Sequence, residues 1–281
     1  MTERAPRCVF LLTDYGQIDE FAGVLRAVVA RLAPGAPIVD LTHDVPAFDV
    51  RAGALTLERA TPHLGPGVIC GVVDPGVAGA RRALAIETRS ADGPRHLVGP
   101  DNGLLLFAAD LLGGAVSAVI LSPEAVPGAT VTETWASTFD GRDLFAPTAA
   151  ALWNGTGMTD LGSPVEPGRL VRIARPALFV VHGTIETEVQ WVDRFGNVQF
   201  SARDADATAA GLGESVAVEI GTDSGNKGLI AKRVRAFEEV RAGEVGILVD
   251  ANGHLALAGN RVSAALTLGL ACGQLVTLRQ R

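Results

Sequence analysis

The chain has 281 residues, 48% apolar and 20% charged, an ordinary globular composition that excludes a disordered protein and allows a sizeable core, with two domains as the prior from length. A formal charge of -7 with no basic run argues against a nucleic-acid partner and favours a small soluble ligand. Three widely spaced cysteines, Cys8, Cys70 and Cys272, read as reduced core thiols, and five histidines without ligand spacing make no case for a metal.

The first residues, Met1 to Leu12, lack the apolar core of a signal peptide, and no apolar run reaches membrane-spanning length, so a cytoplasmic protein is expected. Arg7 to Leu12 reads as a strand running into Thr13-Asp14-Tyr15-Gly16, which puts Asp14 at a strand-to-loop junction. Phe21, Val24, Leu25, Val28, Val29 and Leu32 repeat with the helical period until Pro34-Gly35. Pro37 to Leu41 is a second strand, and Thr42 to Asp49 a polar loop holding one aromatic ring, Phe48. Val50 to Thr61 is a second helix. Val68 to Val73 is an unbroken apolar run suited to a strand buried on both faces of a parallel sheet. It delivers Asp74 to the turn dipeptide Pro75-Gly76, at the strand end where open α/β sheets bind ligands. Arg81 and Arg82 follow, and either could hold Asp74 ionised and in one orientation.

Ala83 to Thr88 and His96 to Val98 suggest two further strands around a turn at Ala91-Asp92-Gly93-Pro94. Gly99-Pro100-Asp101-Asn102-Gly103 then leads into a helix, Leu104 to Leu111. Thr138-Phe139-Asp140-Gly141-Arg142-Asp143 precedes a helix from Leu144 to Trp153, with Asp143 as its cap. Gly162 to Pro176 carries three prolines and reads as a linker. Beyond it short strands at 183–192, 215–220, 245–249 and 254–258 predict a small antiparallel barrel or sandwich. The expected class is therefore α/β: a doubly wound N-terminal domain over residues 1–165, followed by a smaller C-terminal β-barrel domain over 177–281.

No phosphate-cradling glycine motif, nucleophile elbow or cysteine nucleophile motif is present. What remains is a set of acids at strand ends, Asp14, Asp74 and Asp101, joined by Asp140. Each alone fits a turn cap as well as a ligand site. Farther on, Asp193, Phe195 and Asn197 gather an acid, a ring and an amide in one turn. That set could hold a purine or merely anchor the turn. Asn260 to Ala265 is equally open between a ligand loop and helix packing.

Together, Leu12 to Gly16, Val73 to Val77, Gly99 to Gly103, Thr138-Phe139 with Gly141-Arg142-Asp143, Phe195-Gly196-Asn197 and Asn260 to Ala265 resemble the S-adenosyl-L-methionine hydroxide adenosyltransferase family, relatives of the fluorinase and chlorinase. The resemblance implies an α/β domain, a C-terminal β-barrel and a homotrimer whose sites lie where one subunit's N-domain meets its neighbour's C-domain. It implies hydrolysis of S-adenosyl-L-methionine to adenosine and L-methionine by attack of water on the 5′ carbon, with no cofactor. By the same likeness Asp14 binds the ribose hydroxyls and Phe48 lies over the sugar. Asp193 takes the methionine ammonium, and Phe195, Asn197, Arg261 and Ser263 belong to the adenine site. Asp74 and Arg81 match two members of the family's Asp-Arg-His triad, and Asp140 stands in the histidine position.

That exchange places a second anion near Asp74, which disfavours a bound halide and leaves two alternatives to hydrolysis. One is a non-catalytic protein that binds adenosine or S-adenosyl-L-methionine; the other is a halogenase, from which retention of Asp74 with Arg81 separates this chain.

Overall fold

A computed structural model describes residues 7–90, 93–131, 138–222 and 225–281. They form two compact units, Met1–Ile173 and Ala174–Arg281, and the division falls inside the proline-bearing stretch 162–176.

The first unit is built on a seven-stranded sheet. Its strands are β1 (Cys8–Thr13), β2 (Ile38–Thr42), β3 (Gly67–Val72), β4 (Ala83–Ser90), β5 (Gly93–Pro100), β6 (Ala115–Leu121) and β7 (Gly162–Pro164), in the order β2-β1-β3-β5-β4-β6-β7. The helices are α1 (Phe21–Leu32), α2 (Val50–Ala60), α3 (Leu106–Leu111) and α4 (Ala146–Trp153). β1, β2, β3 and β5 run parallel, whereas β4, β6 and β7 join antiparallel. The doubly wound pattern thus occupies half of the sheet, and three antiparallel strands complete it, with β4 between β5 and β6. β3 lies between two parallel neighbours with all six residues buried, as its apolar run requires. On one face Val9, Leu11, Val68, Cys70 and Val72 pack with Leu25 and Val29 of α1 and Ala146 and Ala149 of α4. On the other face a side chain at Gly71 would press into Leu57 of α2 and the neighbouring Leu104 and Leu105, so glycine there permits close helix–sheet packing.

Three local expectations change. The helix expected from Leu104 begins at Leu106, because a turn through Asn102 and Gly103 absorbs the first residues: Asn102 Oδ1 accepts Leu104 N–H at 3.2 Å, and Leu106 N–H bonds Gly103 O at 3.4 Å. Asp143 does not cap a helix. It sits buried within a π-helical turn, Gly141–Phe145, that runs directly into α4, and its carboxylate binds Arg142 instead. Of the three thiols, Cys70 is buried and Cys8 half-buried, but Cys272 is exposed and is no core residue. The expected turn at Ala91-Asp92 lies outside the described residues; β4 and β5 do pair as antiparallel neighbours up to Ser90 opposite Gly93.

The second unit contains β8 (Leu178–Val181), β9 (Thr184–Val192), β10 (Val198–Arg203), α5 (Asp204–Ala210), β11 (Ser215–Thr222), β12 (Gly225–Lys232), β13 (Val245–Val249), β14 (His254–Gly259), α6 (Ala264–Leu268) and β15 (Leu275–Gln280). The strand order is β12-β11-β15-β9-β10-β14-β13, with β8 on β9, and every ladder is antiparallel. The two ends of this path meet where Arg233, just after β12, bridges to Ile247 of β13, with Val234 N–H on Ile247 O at 2.9 Å. The sheet therefore nearly closes into a barrel. Inward residues such as Val189, Val198, Phe200, Val218, Leu257 and Leu278 fill it.

Candidate active site

The loops after β1, β2 and β3 and the start of the π-helical turn surround a cavity of about 320 Å3 at the carboxyl ends of β1 and β3. Asp14, Tyr15, Phe21, Phe48, Asp74, Phe139, Asp140 and Gly141 are among its lining residues. Four residues foreseen from the sequence, Asp14, Phe48, Asp74 and Asp140, thus share one cavity, with Arg81 joining two of them.

Arg81 organises the floor. Its Nε lies 2.8 and 3.0 Å from the two oxygens of Asp74, and its Nη2 contacts Asp74 Oδ2 and Asp140 Oδ2 together. The group is largely buried, with side-chain exposures of 14% for Arg81, 5% for Asp74 and 18% for Asp140. Burial alone would lower the guanidinium pKa, but hydrogen bonds and charge from Asp74, then Asp140, carry it above its ordinary value. The second anion expected from the sequence is therefore met by a cation shared between the acids. The Arg81 guanidinium also stands over the Phe145 ring, 5.2 Å from its centroid.

Arg82 goes elsewhere. Its Nε lies 2.7 Å from Asp101, whose other oxygen accepts Val171 N–H at 2.8 Å. Asp101 is buried and is not among the cavity's lining residues, so its place at a strand end serves to tie down the 169–171 segment. Adjacent side chains entering β4 point to opposite sides, which is why two consecutive arginines reach two different acids.

Asp14 follows β1 and accepts Phe48 N–H at 2.9 Å. Phe48 has φ +67°, a left-handed conformation that a non-glycine residue adopts only when its surroundings hold it there. Its ring is 72% exposed. Burial raises the Asp14 pKa; Phe48 N–H opposes this and the charge of Asp74 adds to it. A ligand that hydrogen-bonds to the ionised Asp14 should therefore lose affinity as pH falls through this raised value, above the ordinary aspartate range near 3.8. The group's contribution to folding stability has the opposite sign and grows as pH falls, because the folded chain binds the proton more readily. Calorimetric affinity against pH, compared with Asp14→Asn, checks this: the variant should lack the acidic decline.

The sequence reading missed Tyr15 and Phe21 as cavity residues. With Phe139 they form a mutual edge-to-face cluster, with centroids 5.1 to 5.9 Å apart. Phe21 looked like a helix-core residue by periodicity. Tyr15, the chain's one tyrosine, stands beside Asp14 and offered the better signal. A side chain at Gly141 would collide with the Tyr15 hydroxyl, so glycine is required there.

The second unit has its own cavity, about 520 Å3, lined by Phe195, Asn197, Phe237, Gly259, Asn260, Arg261, Val262 and Ser263. All four residues foreseen for a purine, Phe195, Asn197, Arg261 and Ser263, lie on it, and Phe237 is an addition. Asp193 is not among them. Its Oδ1 accepts Phe195 N–H at 2.8 Å and Asn197 N–H at 2.9 Å, and its Oδ2 accepts the Asn197 amide at 2.8 Å, so it shapes the turn. Gly196, at φ +82°, packs directly on Ser263, and its carbonyl accepts Ala265 N–H at 2.9 Å. Ser263 in turn caps α6 through Leu266 N–H at 3.1 Å. Arg261 has φ +62°, the counterpart of Phe48 in the first cavity. No group of metal-ligating side chains occurs among the described residues. Among them, too, no helix is long and apolar enough to cross a membrane.

Comparison with known proteins gives two family matches. Residues 9–162 match the SAM hydroxide adenosyltransferase N-terminal domain, and residues 187–277 match the corresponding C-terminal domain. An (R)-S-adenosyl-L-methionine hydrolase from Salinispora tropica is 43% identical over 93% of this chain and 93% of its own length. A protein of the same name from Thermus thermophilus is 38% identical over 97% of this chain and 99% of its own. A crystal structure of an uncharacterized conserved protein from Thermotoga maritima superposes with a TM-score of 0.84 at 30% identity, over 97% of this chain and 100% of that one.

Proposed function

Since the chain belongs to the SAM hydroxide adenosyltransferase family, we propose that it hydrolyses S-adenosyl-L-methionine to adenosine and L-methionine by attack of water on the 5′ carbon. The observation that carries this reading is the single guanidinium of Arg81 holding Asp74 and Asp140 in the cavity that also holds Asp14. In the reaction a water oxygen forms a bond to the 5′ carbon while the carbon–sulfur bond breaks. The sulfur keeps the electron pair and leaves as the neutral thioether of methionine, and the water gives up a proton. A sulfonium is already a good leaving group, so the protein's task is to align water, carbon and sulfur and to accept that proton.

Asp74 is gripped on both oxygens, whereas Arg81 touches one oxygen of Asp140. We assign Asp140 as the group that receives the proton, with Asp74 and Arg81 fixing its position and that of the water. Asp14 binds the ribose hydroxyls and Phe48 covers the sugar. Phe195, Asn197, Arg261 and Ser263 take the adenine, and Asp193 the methionine ammonium. The two recognition sets sit on separate units, each beside an exposed ring, Phe48 at 72% and Phe195 at 73%. This supports a homotrimer in which one subunit's N-terminal unit, residues 1–165, works with a neighbour's C-terminal unit, residues 177–281. The assembly is proposed to be cytoplasmic, to work without a cofactor and to have neither a nucleic-acid nor a membrane partner.

Incubation with S-adenosyl-L-methionine and chromatography of the products tests the reaction. Adenosine and methionine should appear in equal amounts; binding without adenosine above the uncatalysed background would make this an adenosyl-binding protein. Asp14→Ala should weaken substrate binding by about tenfold or more while kcat stays within a few-fold, because a ribose contact is made alike in ground and transition states. Titration calorimetry showing parental affinity would remove Asp14 from the site. Sedimentation at micromolar concentration should show trimers, and a fully active monomer would overturn the shared-site arrangement.

A further inference from the structure

We propose that His43 is a positioning residue for the ribose site, an imidazole that clamps together the two loops carrying Asp14 and Phe48. The inference rests on Asp14 being the ribose acid. The His43 side chain is completely buried. Its Nε2 lies 3.0 Å from Asp40 Oδ1, a pure acceptor when ionised, so in the neutral ring the proton sits on Nε2. Its Nδ1 lies 2.8 Å from Thr13 Oγ1 and accepts the threonine hydroxyl proton. The lone pairs left on Thr13 Oγ1 take Tyr15 N–H at 3.1 Å, and Asp40 is held in turn by Arg26 Nε at 2.7 Å. Each bond in this chain has one consistent donor direction.

The main chain repeats the connection. Gly16 N–H donates to His43 O at 2.7 Å, and Val45 N–H to Thr13 O at 3.3 Å. The loop after β1 and the loop after β2 are thereby joined on both sides of the residue pair Thr13 and His43. They meet again at the cavity, where Phe48 N–H reaches Asp14 at 2.9 Å. Asp14 and the left-handed Phe48 themselves make this second joint. A carboxylate that must face two adjacent hydroxyls depends on its angle as well as its presence, and Phe48 keeps its positive φ only while its loop is fixed. His43 lies behind Thr13 and is not among the residues lining the cavity, so it acts through Thr13 and the main chain.

The test is calorimetry on the full chain with adenosine and with 2′,3′-dideoxyadenosine, which lacks both ribose hydroxyls. The parent should prefer adenosine by about tenfold or more, as two hydrogen bonds to a charged group imply. His43→Ala and the isosteric Thr13→Val should shrink that preference several-fold, while dideoxyadenosine binding stays within about twofold of the parent. His43→Asn, whose amide oxygen can take the threonine proton, should recover most of it. Equal weakening of both ligands would show a purely structural histidine and overturn the proposal, as would an unchanged preference. If His43→Ala does not fold, Thr13→Val decides, since it preserves shape and removes the bond. A parent that shows no hydroxyl preference would overturn both this inference and the ribose role of Asp14. A parent that prefers adenosine but releases none from S-adenosyl-L-methionine would overturn hydrolysis alone.

Discussion

Arg81→Met should reduce kcat/KM by about a thousandfold or more and destabilise the folded chain by about 3–5 kcal/mol, the range for removing one partner of a buried ion pair. Methionine keeps the apolar stem of the arginine but not the guanidinium, which also gives up its contact over the Phe145 ring, so the loss is mainly electrostatic. What it leaves behind is Asp74 and Asp140, mostly buried, that had shared one guanidinium nitrogen. Two carboxylates without the cation must separate, take up a proton or draw in water, and each response disturbs the geometry needed to orient an attacking water. Arg81→Lys separates charge from shape. It restores a cation but offers a point charge where a planar fork spans two acids. Most of the stability should return with Lys, and little of the rate. Denaturant unfolding and initial-rate measurements on both variants check this, and parental values for both quantities in Arg81→Met would mean that the three groups do not act together.

Much of the N-terminal unit was legible because its strands announce themselves twice, by an apolar run and by the acid that ends it. Val68 to Val73 followed by Asp74-Pro75-Gly76 is such a case: a strand buried on both faces permits no polar residue until the chain leaves the sheet. The same logic found Asp14, but it misled at Asp101. Sequence order does not reveal which arginine a strand-end acid will meet, and Arg82 claims Asp101 for the fold. Asp140 lies 59 residues from Arg81, and nothing local in the chain signals their contact. Only the likeness of several separated motifs pointed to it.

The segment after Asp140 shows a different failure. A polar run ahead of an apolar one normally marks a capped helix start, and Asp143 fitted that pattern. The π-helical turn from Gly141 shifts the register, so Asp143 is carried inward to Arg142 while Gly141 makes room for the Tyr15 hydroxyl. In the barrel, β8, β10, β12 and β15 escaped notice: glycine and lysine break up β12, and the other three are runs of only four to six residues. Their place in the sheet is fixed by neighbouring strands rather than by their own propensity. Phe195, Asn197, Arg261 and Ser263 lie in two segments that each left a ligand role open, and only the likeness of separated motifs joined them as a set. The Asp193 turn and the cap at Ser263 are local motifs, and Gly196 against Ser263 brings them together.

Asp140→His should raise turnover with little change in substrate affinity. The replacement removes one anion from the Arg81 cluster, returns Nη2 of Arg81 to Asp74 alone, and supplies a base with an ordinary pKa of about 6.5, matched to accepting a proton near neutrality. Affinity should hold because Asp14, Phe48 and the second cavity are untouched. The acidic limb of the rate profile should then appear near the imidazole value, since the protonated ring cannot accept the water's proton. Asp140→Asn supplies the contrast: it removes the charge and provides no base. If Asp140 receives the proton in the parent, the Asn variant should be slower by about a hundredfold or more, the usual contribution of a positioned general base. An Asn variant as fast as the parent would show instead that the carboxylate only opposes the reaction, and the base must then be sought at Asp74. If neither replacement alters rate, pH profile or affinity, Asp140 stands away from the reacting water, and its contact with Arg81 serves the fold alone.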